Sequence, residues 1–162
     1  MTVFRKDTFI NPVNVAIAFF VAAGTFLVAV GSQSKVSQCH QLILVVNQGS
    51  SLIAQNKDAA NTNQLVHNLD KVTQNLVAVN LQDTKLREFQ NQFVKVFQAM
   101  SQAISNASKA LNSAKKVEFT LGRQAKIEKA KLKIEAAAKT GVKAAAQADV
   151  LASEVNQYCS QK

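Results

Sequence analysis

The sequence predicts an all-α protein in which one N-terminal transmembrane helix precedes an antiparallel bundle of about four helices, the last two long. Three observations lead to this fold class. Residues 12–31 are uncharged and almost wholly apolar, apolar residues further on recur at helical spacing, and the chain has one proline and five glycines. Such a composition lacks the turn residues of a β-sandwich and favours long helices.

The first predicted element is a transmembrane helix over residues 12–31. No charge occurs between Asp7 and Lys35, and about twenty helical residues extend roughly 30 Å, the thickness of a bilayer's hydrocarbon core. A helix is expected because hydrocarbon provides no hydrogen-bond partners for the backbone. Ala18 and Ala22 form a small-xxx-small face through which this helix could pack against another membrane helix.

The cations that flank this segment predict its orientation. Arg5 and Lys6 precede it, and Lys35 is the only cation in the following twenty residues. The positive-inside rule then places residues 1–11 in the cytoplasm and residues 32–162 in the periplasm or a lumen. The alternative is a signal peptide cleaved after Gly31, but the apolar stretch exceeds the usual signal-peptide core, so we expect an uncleaved signal-anchor.

The first two helices of the bundle are predicted over about 33–57 and 62–81. Each carries a short series of apolar residues three and four positions apart, which is typical of an amphipathic helix. The two series are Leu42, Val46, Gly49 and Ile53, and then Leu65, Leu69, Val72, Leu76 and Val79. Asn61, Thr62 and Asn63 form a polar cluster suited to capping the second helix.

Helices three and four are predicted over about 84–120 and 123–160, with Asp83 or Thr84 as the cap of the third and Gly122 at the reversal. Their apolar series keep the helical spacing for nearly forty residues each. They are Leu86, Phe89, Phe93, Val96, Met100, Ala103, Ala107, Ala110, Ala114, Val117 and Leu121, then Ile127, Ala130, Ile134, Ala137, Gly141, Ala145, Ala148, Ala152, Val155 and Cys159.

Short loops make neighbouring helices antiparallel, so a four-helix base should continue as a two-helix stalk. The alternative is a pair of very long helices, if the break at 58–63 or the break at 82–84 does not form. In the antiparallel scheme the only two cysteines, Cys39 and Cys159, lie at similar height. They form either a disulfide, which would stabilise the fold by roughly 4 kcal/mol in an oxidising compartment, or two ordinary buried thiols.

Positive charge is concentrated between residues 109 and 143, which hold ten Lys or Arg against three Glu and so carry most of the formal net charge of +9. The candidate basic patch is Lys115, Lys116, Arg123, Lys126, Lys129, Lys131 and Lys133. It would bind an acidic protein, a polyanion or an anionic membrane, unless these lysines only keep an alanine-rich helix soluble and pair locally with Glu128 and Glu135. We do not expect nucleic acid as a partner, because base-stacking aromatic residues are scarce in this window.

No catalytic, metal or cofactor site is expected. His40 and His67 lack further ligands at metal-binding spacing, the cysteines do not form CxxC, and neither GxSxG nor a glycine-rich phosphate loop occurs. Phe89, Phe93 and Phe97 lie along one helix and are expected to form the core where four helices meet; the alternative is that they line a pocket for a lipid tail or a pigment.

The run LQDTKLREFQNQFVKVF (Leu81–Phe97) resembles stretches in small, uncharacterised membrane-anchored helical proteins of cyanobacteria. This resemblance covers about a tenth of the chain and implies a bacterial membrane setting without any known activity. The expected function is therefore that of a non-enzymatic single-span membrane protein, a structural or accessory subunit that contacts lipid and a membrane complex or another copy of itself. The alternative is a secreted or periplasmic bundle, cleaved after Gly31, that binds an apolar or anionic ligand.

Overall fold

A computed structural model describes residues 34–55, 61–116 and 122–161. These ranges form four helices and no strand, which confirms the predicted all-α bundle: α1 Lys35–Gln55, α2 Thr62–Ala78, α3 Thr84–Lys115 and α4 Arg123–Ser160. The predicted membrane helix with Ala18 and Ala22, and the predicted cytoplasmic residues 1–11, lie outside the described ranges. Within those ranges, none of the helices has both the length and the apolar character needed to cross a membrane.

Local side-chain chemistry explains where the helices begin and end. The Asp83 carboxylate accepts a hydrogen bond from the backbone N–H of Leu86 at 2.9 Å, so the predicted cap of α3 is confirmed. Asn61 occupies the N-cap position of α2, but its side chain makes no capping hydrogen bond. Gly122 precedes α4 with a φ of 100°, a backbone conformation that glycine adopts readily because it has no Cβ.

The four helices run alternately up and down, and α1, α2 and α3 are separate helices rather than parts of very long ones. The start of α1, the end of α2, the start of α3 and the end of α4 meet at one end of the bundle, which we call the disulfide end. There the Tyr158 hydroxyl donates to Asp83 at 2.9 Å and links α4 to the start of α3. Helix α1 packs against α2, α3 and α4, so the arrangement is an antiparallel bundle with short connections.

The hydrophobic core fills the half of the bundle that is nearest the disulfide end. Its most completely buried large side chains are Phe93, Phe97, Leu42, Leu69, Leu76 and Leu86. Phe89 is also buried, so the three phenylalanines belong to the core, as their spacing predicts. Gly49 on α1 faces the ring of Phe97. Because glycine has no side chain, the ring can pack directly against this position of α1.

Helices α3 and α4, with 32 and 38 residues, are much longer than α1 and α2, with 21 and 17. Farther from the disulfide end, α3 and α4 meet through small residues that are buried: Ala103, Ala110, Ala130, Ala137 and Ala144. The predicted α4 series was wrong at Ile127 and Ala145, which are exposed, whereas Ala152 is half-buried and packs against the core. Ala144 and Leu151 are buried instead, because a seven-residue interval from Ala130 keeps the same face of α4 against α3.

Candidate functional site

An open groove of about 800 Å³ lies between α3 and α4. We call it the basic groove. Its lining from α3 is Gln102, Ala103, Asn106, Lys109, Ala110 and Ser113, and its lining from α4 is Lys126, Lys129, Ala130, Lys133, Ala136, Ala137 and Thr140.

Helical periodicity produces the separation of charge and apolar surface in this groove. Residues three and four positions apart share one face of a helix, so Lys126, Lys129 and Lys133 follow one another along α4. Ala130 and Ala137 lie beside them on the seam with α3 and are buried, whereas the lysines are exposed. The groove therefore has an alanine floor and a lysine rim.

No ion pair joins a lysine of the rim to an acidic side chain among the described residues. The ion pair found there joins Lys85 to Glu88 at 2.9 Å, near the start of α3 and remote from the groove. Glu128 and Glu135 are exposed on α4 but do not line the groove, and within residues 122–161 they form no ion pair with the lysines. Local neutralisation of the rim by these two glutamates is thus not seen.

The structure divides the basic patch that the sequence predicts. Lys126, Lys129 and Lys133 line the groove together, whereas Lys131 is exposed but does not line it. Lys115 and Lys116 are exposed at the end of α3, and Arg123 is half-buried at the start of α4; none of the three lines the groove.

One lining lysine, Lys109, is missing from the predicted patch. It adjoins Ala110, a residue of the apolar series of α3, and it lies four positions before Ser113 on the same wall. Its place beside the apolar seam is the signal that could have identified it, because a residue adjoining the seam flanks the interface between two paired helices.

Hydroxyl groups in the groove are bonded to their own helices. Ser113 donates to the backbone oxygen of Lys109 at 2.8 Å, and Thr140 donates to that of Ala136 at 3.0 Å. Both hydroxyls therefore make local hydrogen bonds to the helix that carries them, four residues back in the chain.

At the disulfide end, Cys39 and Cys159 are bonded, with a sulfur–sulfur distance of 2.07 Å and a Cα–Cα distance of 5.9 Å. The sequence leaves open a disulfide or two thiols, and the structure contains the disulfide. It joins the second turn of α1 to the last turn of α4 and closes a loop across 120 positions. A crosslink of this length restricts the unfolded chain strongly.

Two buried glutamines hold the connection between α2 and α3. The Gln38 side-chain oxygen accepts hydrogen bonds from the backbone N–H groups of Gln82, at 2.6 Å, and Asp83, at 2.9 Å. The Gln90 amide donates to the backbone oxygens of Leu76, at 2.6 Å, and Val79, at 2.8 Å. Backbone N–H and C=O groups between α2 and α3 lack the partners that a continuous helix would provide. The two glutamine side chains form hydrogen bonds with these groups instead.

The charged side chains of Asp83 and Lys35 also make structural contacts at the disulfide end. The pKa of Asp83 is lowered, chiefly by the hydrogen bond from the Leu86 N–H and further by the hydroxyl of Tyr158, while partial burial opposes the shift. The hydrogen bond between Tyr158 and Asp83 also raises the pKa of Tyr158, because ionisation of the phenol would remove the donor of this bond. The Lys35 ammonium lies 3.9 Å from the centre of the Tyr158 ring and donates to the Gln161 backbone oxygen at 3.2 Å.

The polar groups at this end are satisfied by one another. Within the described part of the chain, every buried side-chain nitrogen or oxygen has a hydrogen-bond partner. His40 and His67 are exposed, and no group of three or more His, Cys, Asp or Glu side chains in the described ranges is placed to hold a metal ion. The disulfide end therefore locks four helix termini together.

The chain matches no protein-family profile, no curated protein and no solved structure. The resemblance of residues 81–97 to cyanobacterial membrane-anchored proteins stays a prediction.

Proposed function

We propose that this chain is a non-enzymatic, single-span membrane protein that serves as a structural or accessory subunit and binds an anionic partner through the basic groove. The observation that carries the proposal is the lysine rim around an alanine floor, without neutralising carboxylates among the described residues. Four like charges placed together are electrostatically unfavourable and attract an acidic surface.

The proposed location outside the cytoplasm is supported by the disulfide. Disulfides form and persist in oxidising compartments and are rare in the cytosol of most organisms. In the proposal, residues 12–31 are a signal-anchor, residues 1–11 are cytoplasmic, and the bundle lies in the periplasm or a lumen. Ala18 and Ala22 would provide the face through which the anchor meets a membrane complex or a second copy.

The position of the groove in the bundle is consistent with a projecting contact surface. The chain enters the bundle at the disulfide end, where α1 begins at Lys35. Lys129 precedes Cys159 by thirty positions on α4, which is about 45 Å of helix. The groove is therefore remote from the point where the chain enters the bundle. At that distance the rest of the chain would obstruct a partner least.

The proposal is tested by two triple variants with equal charge change. The groove variant is Lys126→Glu, Lys129→Glu and Lys133→Glu, and the control variant is Lys131→Glu, Lys139→Glu and Lys143→Glu on the same helix. All six lysines are exposed, so far-UV circular dichroism should show that both proteins fold. The readout is recovery of crosslinked partners that copurify with the full chain from native membranes.

We expect the groove variant to lose partner recovery by about tenfold, because three exposed ion pairs of roughly 0.5 kcal/mol each sum to about 1.5 kcal/mol. Reversal of each pair into repulsion increases the loss. The control variant should retain most of its partner. Equal losses in the two variants would show that net charge acts without the groove, and no loss in either would refute the proposal.

A second candidate function is a secreted bundle released by cleavage after Gly31. The volume of the groove, about 800 Å³, favours it, because this volume is within the range of small-molecule sites. An apolar ligand with an anionic head would then place its tail on the alanine floor. The intact mass of the protein in the membrane fraction separates the two candidates, since loss of residues 1–31 would exclude the anchor.

A further inference from the structure

We propose that the occupant of the basic groove is an acidic amphipathic helix of a partner protein, which packs as a third helix against α3 and α4. This inference rests on the proposed function and specifies the chemistry of the partner. Four features of the groove support it: the lack of a covering helix among the described residues, the small residues of the floor, the length of the groove and the spacing of its charges.

The interface between α3 and α4 is covered by other helices near the disulfide end and is open farther along the bundle. Near the disulfide end α1 packs onto α3, with Gly49 against the ring of Phe97, and the main core cluster extends up to Met100 on α3 and Ala144 on α4. The alanine seam continues past these residues to Ala110 and Ala130, but there the two helices are flanked by the open groove. Among the described residues, no third helix covers α3 and α4 at the groove.

The floor of the groove is suited to a helix. Small side chains permit close approach of helix axes, at the lower end of the usual 8–10 Å. The floor alanines are each 4–6% exposed, so the apolar stripe of a docked helix would pack mainly on Ala136 and on the aliphatic stems of the lysines, whereas a linear polyanion has no apolar stripe to place there. The combination of an alanine floor with a lysine rim therefore favours an amphipathic helix over an extended polyanion.

The length of the groove corresponds to three or four helical turns. Its lining on α3 extends from Gln102 to Ser113, and its lining on α4 extends from Lys126 to Thr140. At 1.5 Å per residue these stretches are roughly 16 and 21 Å long, so a partner helix of about 11–14 residues would fill them.

The charge spacing of the rim specifies the acidic residues of the partner. Lys126, Lys129 and Lys133 recur at intervals of three and four on one wall, and Lys109 stands on the other wall. Carboxylates at the same helical intervals on a docked helix would meet these lysines, as flanking charges do between the helices of a coiled coil. A second copy of this basic hairpin is disfavoured, because lysine would face lysine.

The experiment is site-specific photo-crosslinking of the full chain in native membranes, with the reactive residue at Ala136 or at Ala138. Both positions are exposed, but only Ala136 lines the groove. We expect crosslinking at 136 to exceed that at 138 by about tenfold. The crosslinked peptide, sequenced by mass spectrometry, should carry Asp or Glu at intervals of three and four beside apolar residues.

A steric pair provides the second measurement. Ala136→Trp should place a bulky ring in the groove and reduce copurification of the partner by about tenfold, whereas Ala138→Trp should leave it unchanged. Crosslinks from position 136 that lead to phospholipid, to cell-wall polymer or to a second copy would overturn the helix inference. Undiminished copurification with Ala136→Trp would overturn it as well, because an anion held by the lysine rim alone does not need the floor.

The two proposals fail in different ways. The lysine variants of the preceding section decide whether the groove binds an anionic partner at all. If the groove triple loses its partner while the Ala136 variants contradict a helix, the proposed function stands and only the class of occupant is wrong. If the groove triple keeps its partner, both proposals are wrong.

Discussion

Replacement of Gly49 by alanine provides a sharp test of how α1 packs on α3. A Cβ at this position would lie 2.5 Å from Cζ and 2.8 Å from Cε1 of Phe97, far closer than carbon atoms approach without displacement. Phe97 is 1% exposed and stacks against Phe93 with ring centroids 6.2 Å apart, so its ring has little room to move.

Two opposing effects set the magnitude of this change. Alanine gains about 1 kcal/mol over glycine in a helix interior, and overpacking a well-packed core costs about 1–3 kcal/mol. A contact this short against a confined ring belongs at the upper end of that range. We therefore expect Gly49→Ala to reduce the free energy of unfolding by about 1–2 kcal/mol.

The matched control is Gly141→Ala in α4. There the new Cβ would lie 3.8 Å from the Cβ of Ala103, an ordinary van der Waals contact, so only the helix-propensity gain of about 0.5–1 kcal/mol should remain. The two variants thus carry the same substitution with opposite expected signs.

Thermal unfolding of the full chain in detergent, followed by circular dichroism at 222 nm, measures both variants. Each kcal/mol corresponds to about 2–4 °C in Tm for a chain of this size. If Gly49→Ala raised Tm as Gly141→Ala does, α1 would not pack on Phe97 as described. Combining Gly49→Ala with Phe97→Leu should recover part of the loss, since coupling is expected between residues in contact.

Three further predictions concern the disulfide end. Replacing both Cys39 and Cys159 by serine should lower the free energy of unfolding by about 4–5 kcal/mol in urea titrations, as the chain-entropy model gives for a loop of this length; a loss below about 1 kcal/mol would contradict that account. Asp83→Ala should cost about 0.5–2 kcal/mol at neutral pH through loss of the helix cap. Because the folded-state pKa of Asp83 is lowered, its contribution is present above the unfolded pKa of about 3.9 and is lost as the pH falls through the folded pKa. The gap between wild type and Asp83→Ala should therefore narrow in acid, and a gap that widens as the pH is lowered would refute this assignment. Gln90→Leu should cost about 1–3 kcal/mol because it removes the side-chain donor from the backbone carbonyls of Leu76 and Val79, of which Leu76 keeps the 3.3 Å hydrogen bond from the Val79 N–H, whereas Gln92→Leu, at an exposed position, should change stability little.

Much of the local architecture was predictable because it depends on near neighbours in the chain. The starts of α2, α3 and α4 agree with the predicted boundaries, and α4 also ends where predicted. The cap at Asp83 depends on the N–H of a residue only three positions away. The reversal at Gly122 depends on the conformational freedom of one residue, which its positive φ uses.

The errors arise where a position's role depends on a distant segment. Ala145 and Ala144 are adjacent and chemically identical, so the apolar series cannot choose between them until α3 is in place to cover one. Gln38 has an ordinary sequence context, and its role becomes visible only when the start of α1 meets residues 82 and 83. The same limitation explains why the predicted basic patch included Lys131 and omitted Lys109.

By itself, the sequence determined that this protein is helical and where its positive charge is concentrated, and it predicted a bundle of about four helices with the last two long. These properties follow from composition and from periodicities of three and four residues, which act within a single helix. Only the tertiary structure decided that Cys39 and Cys159 are bonded, that Gly49 lies against Phe97 and that lysines from two helices share one groove. The physical reason is that each of these features joins side chains far apart in the chain, and the packing of helix against helix selects which of several equivalent faces turn toward one another.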